Sequence, residues 1–213
     1  MSNTADNSSE AELVNRVVQG DQQALAQLFD QYRERLWRTV NFRLDQRLHG
    51  RVDADDILQE AYLSASQRIS HFQPDASHSC FVWLRLIVSQ TLIDIHRRHL
   101  GAKKRDASRD VGIHGGWNAE STSYSLSSLL LGHLTSPSHA ALRQELSEQL
   151  ESALSAMSDI DQEVLALRHF EELTNRETAQ VLDISEQAAS VRYVRALARL
   201  KDVLTAIAGT TEE

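Results

Sequence analysis

One cysteine, two prolines and eight glycines are all this 213-residue chain has of the residues that staple, break or loosen a backbone. A lone cysteine, Cys80, excludes an intramolecular disulfide and suits a reducing cytosol, so a cytoplasmic setting is expected. Scarce proline and glycine leave room for long helices. No apolar run approaches a membrane span. Met1–Glu10 lacks the basic and apolar regions of a signal peptide. There is no glycine-rich phosphate loop and no nucleophile beside an obvious base, so neither enzyme chemistry nor a cofactor is expected. The nine histidines are scattered; His71, His78 and Cys80 come close, but no closed ligand set forms and no metal site is expected.

What is present is ordinary globular composition, 41% hydrophobic and 24% charged, on an acidic chain of net charge -8. Thirty acidic against 22 basic residues exclude indiscriminate coating of DNA, because most of the surface would be repelled by phosphate.

Apolar spacing at three- and four-residue steps runs through the chain, and no strand-like alternation of useful length occurs, so the fold class is all-α. A short helix is expected from Ala11 to Val18, stopped at Gly20. Asp21 caps a long helix with Leu25, Leu28, Tyr32, Leu36, Val40 and Leu44 inward, which runs on until Gly50 interrupts it. Asp53 caps the next, with Ile57, Leu58, Ala61, Tyr62, Ala65 and Ile69 in its stripe. Pro74 marks the loop 71–79. A fourth helix spans Cys80 to His99 with Leu84, Ile87, Val88, Leu92 and Ile95 inward. Five of the eight glycines and many serines then fall in 101–138, the composition of a linker. Helices follow over 140–157, from Ser158 or Asp159, over 175–182 behind a Thr174 cap, and from Ser185 to about Ala208. The expected division is a disordered start (1–9), a first helical domain (10–100), a linker (101–138) and a second domain (139–208).

Three constellations carry chemistry. Residues 173–201 read as a helix-turn-helix: Asp183-Ile184 turns, Ser185 caps, and Arg192, Arg195 and Arg199 share one face of the second helix. A helix fits the major groove, and arginine grips guanine edges or phosphates with two donors. An ordinary helix pair with a solvated basic face would show the same pattern. Asp53–Glu60 crowds carboxylates at a helix start, where they oppose the positive end of the dipole; capping and a docking surface both fit. Phe81-Val-Trp-Leu-Arg85, followed by Arg97-Arg98, sets aromatics beside cations, as in proteins that hold unstacked bases. A bundle core would also use those aromatics.

In this order, the segments Gly20–Phe29 (GDQQALAQLF), Asp53–Glu60 (DADDILQE), Phe81–Leu84 with Ile93-Asp94 and Arg97-Arg98, Leu165–Arg168 and Leu173–Leu200 resemble the bacterial sigma-70 superfamily. More narrowly, they resemble its small two-domain extracytoplasmic-function (ECF) group. RHFEEL (168–173) and AASVRYVRAL (188–197) are similar to a planctomycete-type subset. The resemblance implies sigma domain 2, a helical bundle, joined by a flexible linker to sigma domain 4, a helix-turn-helix.

It further implies that Asp55, Asp56, Leu58, Gln59 and Glu60 dock on the clamp helices of the largest subunit of core RNA polymerase. The loop 71–79 would capture a flipped base of the minus-ten element, with His71, Phe72, Ser79, Trp83, Arg85, Gln90, Arg97 and Arg98 along the DNA. Ser185, Gln187, Ala188, Val191, Arg192, Arg195 and Arg199 would meet the minus-thirty-five element. The first helices of the second domain would bind the β flap. An anti-sigma factor is a common partner of the group. The chain departs from the family's usual residues at Asp183 (commonly Gly), Ala188-Ala189 (commonly Thr-Val) and Gln90 (commonly Asn), so its promoter sequence does not carry over. Two other readings compete. A dimeric helix-turn-helix regulator would act without polymerase and need a palindromic site. A protein-interaction adaptor would leave the arginine face unused.

Overall fold

Asp21 caps the start of the second helix. In a computed structural model of the chain its carboxylate accepts the N–H groups of Gln23 and Ala24, at 2.8 and 3.1 Å. These are two of the donors that a helix start leaves unpaired. The structure describes residues 3–73, 79–100, 122–123, 125–127, 130, 148–150, 152, 154 and 156–210. Among the described residues there is no strand. The chain falls into two units, Met1–Arg105 and Asp106–Glu213.

In the first unit, α1 covers Asn3–Val18, α2 Gln22–Arg43, α3 Ala54–Arg68 and α4 Cys80–Leu100. Helix α2 packs against the other three, and α3 packs on α4. The inward stripe of α2 is the one its spacing predicts: Leu25, Leu28, Leu36 and Val40 are fully buried, and Tyr32 nearly so. Ile57, Leu58, Ala61 and Ala65 of α3 and Phe81, Leu84, Val88 and Leu92 of α4 complete the core. Each such large side chain contributes about 1.5–3 kcal/mol by leaving water. Edge-on ring pairs tie the layers: Phe29 to Tyr62 at 5.3 Å and Tyr32 to Phe81 at 5.4 Å.

Two boundaries differ from the sequence expectation. Helix α1 begins at Asn3, whereas residues 1–9 are expected to be disordered. The helix nucleated by Leu13 and Val17 in the core extends back through a polar segment that carries no proline or glycine to stop it. Helix α2 ends at Arg43 rather than Gly50. A short 3-10 turn, Gln46–Leu48, plugs Leu48 into the core before Gly50 reverses the chain at a φ of 81°. Gly20 makes the matching stop after α1 at φ 84°.

In the second unit, α5 covers Asp159–Leu165, α6 Asn175–Leu182 and α7 Glu186–Thr210. Both α5 and α6 pack on α7. Ser158 caps α5. Helix α5 runs directly into a π turn, Ala166–Phe170, closed by the N–H of Glu171 on the carbonyl of Ala166 at 2.9 Å. Thr174 and Glu177 form a reciprocal capping box at the start of α6. The stretch expected to be a plain linker contributes to this unit: Thr122 is fully buried and donates to Glu163 of α5 at 2.8 Å. The remaining residues of 101–121, the loop residues 74–78 and most of the helix expected over 140–157 lie outside the described residues.

Candidate functional site

The start of α3 presents Asp55, Asp56, Gln59 and Glu60 to solvent. Asp53 is the cap, its carboxylate accepting the N–H of Asp55 at 3.0 Å. Capping thus accounts for Asp53 and leaves the other carboxylates facing outward. Leu58 does not join them: it is fully buried and supports the face from beneath. The spacing gives the reason, since Leu58 lies between Ile57 and Ala61 on the inward stripe. Two arginines from neighbouring helices reach the acidic face. Arg33 of α2 pairs with Asp55 at 2.8 Å, and Arg98 of α4 with Glu60 at 2.6 Å. Leu63, one turn beyond Gln59 and Glu60, is 60% exposed. It falls outside the apolar stripe of α3, and an apolar residue off the stripe is the only sign of it in the sequence.

Helix α4 is apolar over much of its length, and Arg85, Ser89 and Thr91 lie buried among its apolar residues. Arg85 is 1% exposed, which removes it from the set that can meet DNA in this conformation. It sits four residues after Phe81 and three before Val88, on the inward stripe. Phe72 is also buried, 3% exposed, and packs on Trp83 at 4.8 Å, so it is a wall of the core and not an open stacking platform. Trp83 is half-buried. Ser79 accepts the N–H of Val82 and caps α4. Gln90 donates to Asp94 at 3.3 Å, and Arg97 pairs with the same carboxylate at 3.6 Å. His71, Arg97 and Arg98 are exposed.

In the second unit the turn and caps are those the sequence predicts. Asp183 adopts the left-handed conformation, φ 52° and ψ 47°, where the chain bends from α6 to α7. Ser185 accepts the N–H of Ala188 at 3.1 Å. Asn175 donates to the carbonyl of Glu186 at 2.8 Å, locking the two helix starts together. Ala189, Ala196 and Leu200 face inward. Arg168, from the π turn, donates to the Leu173 carbonyl at 3.1 Å and lies over the Tyr193 ring.

Ser185 stands outward just before α7, and Gln187, Val191 and Arg195 outward on it, with Ala188 and Arg192 half-buried and Arg199 exposed. Arg192 and Arg199 both donate to Asp161 of α5, at 3.2 and 3.3 Å. Val194, 64% exposed, stands on this face without having been expected there. Exposed valines beside an arginine can meet thymine methyl groups while the cation meets phosphate or guanine.

Among the described residues, no group of three His, Cys, Asp or Glu side chains is placed to hold a metal ion. Nor is any described helix long and apolar enough to cross a membrane.

Comparison with known proteins gives a consistent result. The family model described as ECF sigma factor matches residues 7–205. The ECF RNA polymerase sigma factor SigW of Bacillus subtilis is 27% identical over 192 residues, covering 90% of this chain and 94% of that protein. The RNA polymerase sigma-H factor of Pseudomonas aeruginosa is 27% identical over 187 residues, 87% and 88% of the two chains. Among solved structures, CnrH in complex with the cytosolic domain of CnrY aligns with a TM-score of 0.52 at 21% identity. That alignment covers 93% of this chain and 98% of that one.

Proposed function

The chain belongs to the ECF sigma factor family, and from that premise we propose the division of labour among its surfaces. It binds core RNA polymerase, directs it to specific promoters and assists strand opening for transcription initiation. It brings specificity, and the polymerase carries out the chemistry of synthesis in the cytoplasm.

Residues 10–100 form sigma domain 2. Asp55, Asp56, Gln59 and Glu60 dock on the clamp helices of the largest subunit, with Leu63 added at the rim. The minus-ten DNA runs past His71, Ser79, Trp83, Gln90, Arg97 and Arg98. Arg85 and Phe72 support that surface from within. Residues 139–208 form sigma domain 4, whose α7 meets the minus-thirty-five element through Gln187, Ala188, Val191, Arg192, Arg195 and Arg199, while α5 and α6 also meet the β flap.

The observation that carries this reading is the pairing of an exposed acidic helix face with a separate helix-turn-helix, on a chain too acidic to bind DNA by bulk charge. A dimeric regulator acting alone would leave the α3 face without a task. An anti-sigma partner fits the same reading, because such a protein would cover surfaces that core polymerase needs. The test is run-off transcription with purified core enzyme on genomic fragments. Promoter-dependent transcripts that require this protein support the proposal. Their absence with every matched core, together with a stable DNA-binding dimer in sedimentation, would sink it.

A further inference from the structure

Asp161 lies on α5, outside the helix-turn-helix, and is 7% exposed. Its Oδ1 accepts from Nη1 of Arg192 at 3.2 Å, and its Oδ2 from Nη1 of Arg199 at 3.3 Å. The two arginines are seven residues apart, about two turns, and therefore share one ridge of α7. Both of their side chains stay partly open to water, 39% and 54% exposed, so each guanidinium spends one nitrogen inward and keeps other donors outward.

A carboxylate that accepts from two guanidinium groups offers them what a DNA phosphate would. We propose that Asp161 is an internal stand-in for phosphate, a positioning residue that sets how sharply α7 discriminates its promoter element from other DNA. This rests on reading α7 as the DNA-facing helix. Two cations opposed by one buried anion present a net charge of about +1 where the bare pair would present +2. Arg195 is exposed and takes no part in the contact.

Non-specific binding draws on the cations a protein can give to phosphate. Random DNA must draw Arg192 and Arg199 from an acceptor that already satisfies them. A matched element, aligned by base contacts from the rest of the helix, takes the outward donors of both guanidinium groups while they stay on Asp161, so it does not meet this competition. Asp161 therefore weakens the wrong sites more than the right one, and specificity is that difference.

The test is Asp161→Asn in the full chain assembled with core polymerase. Affinity is measured against salt on a promoter fragment and on a scrambled fragment of equal length. The expected result has three parts. Affinity for scrambled DNA rises several-fold, the slope of log K against log salt steepens by about one to two, and the promoter-to-scrambled ratio falls. Weaker binding to both fragments with an unchanged slope would make Asp161 a packing residue and overturn the proposal.

Circular dichroism reports whether the variant folds. If it does not, Arg199→Gln and Arg195→Gln in the native background decide. The salt slope on scrambled DNA must change less for the held Arg199 than for Arg195, and equal changes overturn the proposal. Failure of the sigma factor reading is distinguishable, because the unaltered protein would then support no promoter-dependent transcript at all.

Discussion

Nη2 of Arg98 donates to Oε1 of Glu60 at 2.6 Å, bridging the end of α4 to the exposed face of α3. The two residues belong to surfaces proposed for different partners, DNA and polymerase. Both side chains are about half exposed, so the pair adds no more than about 1 kcal/mol to stability. Glu60→Gln should therefore leave unfolding within about 1 kcal/mol of the parent while weakening core binding. Calorimetric melting beside titration with core polymerase checks both halves. A large loss of stability would mean that Glu60 is structural.

The capping box of α6 yields a second prediction. Thr174→Ala removes both the hydroxyl that accepts the N–H of Glu177 at 3.2 Å and the donor to the Glu177 carboxylate. It should cost about 0.5–2 kcal/mol, read by urea unfolding.

Glu172 and Asp183 both hold positive φ, 57° and 52°. Glycine carries no steric penalty there, so Glu172→Gly or Asp183→Gly should raise stability by up to about 1 kcal/mol. A β-branched residue at Asp183 should lower it. Thermal melting of the three variants against the parent settles the order.

Acid should expose the role of Asp45. The hydrogen bond from the Arg47 guanidinium, aided by the Arg47 backbone N–H, holds this carboxyl at about 2 against an ordinary 3.8. A depressed folded value means that the stabilisation is complete above the ordinary value and is lost as pH falls through about 2. Asp45→Asn should thus destabilise near neutrality, and the gap to the parent should close across that acid window. A gap constant with pH would remove the Arg47 contact as its cause.

Burial, with the Glu10 carboxylate as a smaller contribution, pushes the Cys80 thiol up to about 12. The thiolate is the reactive form. A thiol reagent at mildly alkaline pH should therefore label the native protein slowly and the urea-unfolded chain quickly. Rapid native labelling would contradict the burial of Cys80, which is 3% exposed.

Periodicity disclosed the inward stripes of α2, α3 and α4, and the short polar residues at Asp21, Asp53, Thr174 and Ser185 marked helix starts correctly. These features are local, and a few neighbouring residues decide them. Arg85, Phe72 and Leu58 were harder to place, because each is chemically suited to a surface task while its helical phase or a distant ring draws it inward. The partner of Arg192 and Arg199 lies 31 and 38 residues away, beyond the reach of any spacing rule. The start of α1 is not legible in the sequence, because a polar segment gives no amphipathic signal.

The π turn at Ala166–Phe170 gives the chain one residue to spare at one spot. It holds one residue more than a regular turn and closes on a bond spanning five residues. Removing a single residue there would restore the regular winding and leave the segment beyond it near its present heading, whereas removing one from the regular turns of α5 would swing that segment by about 100°. In the second case Arg168 would leave Tyr193, and α7 would no longer present Arg192 and Arg199 to Asp161. A one-residue deletion in α5, conservative by count, would thus re-aim the helix proposed to face DNA, and the same deletion at the π turn would not.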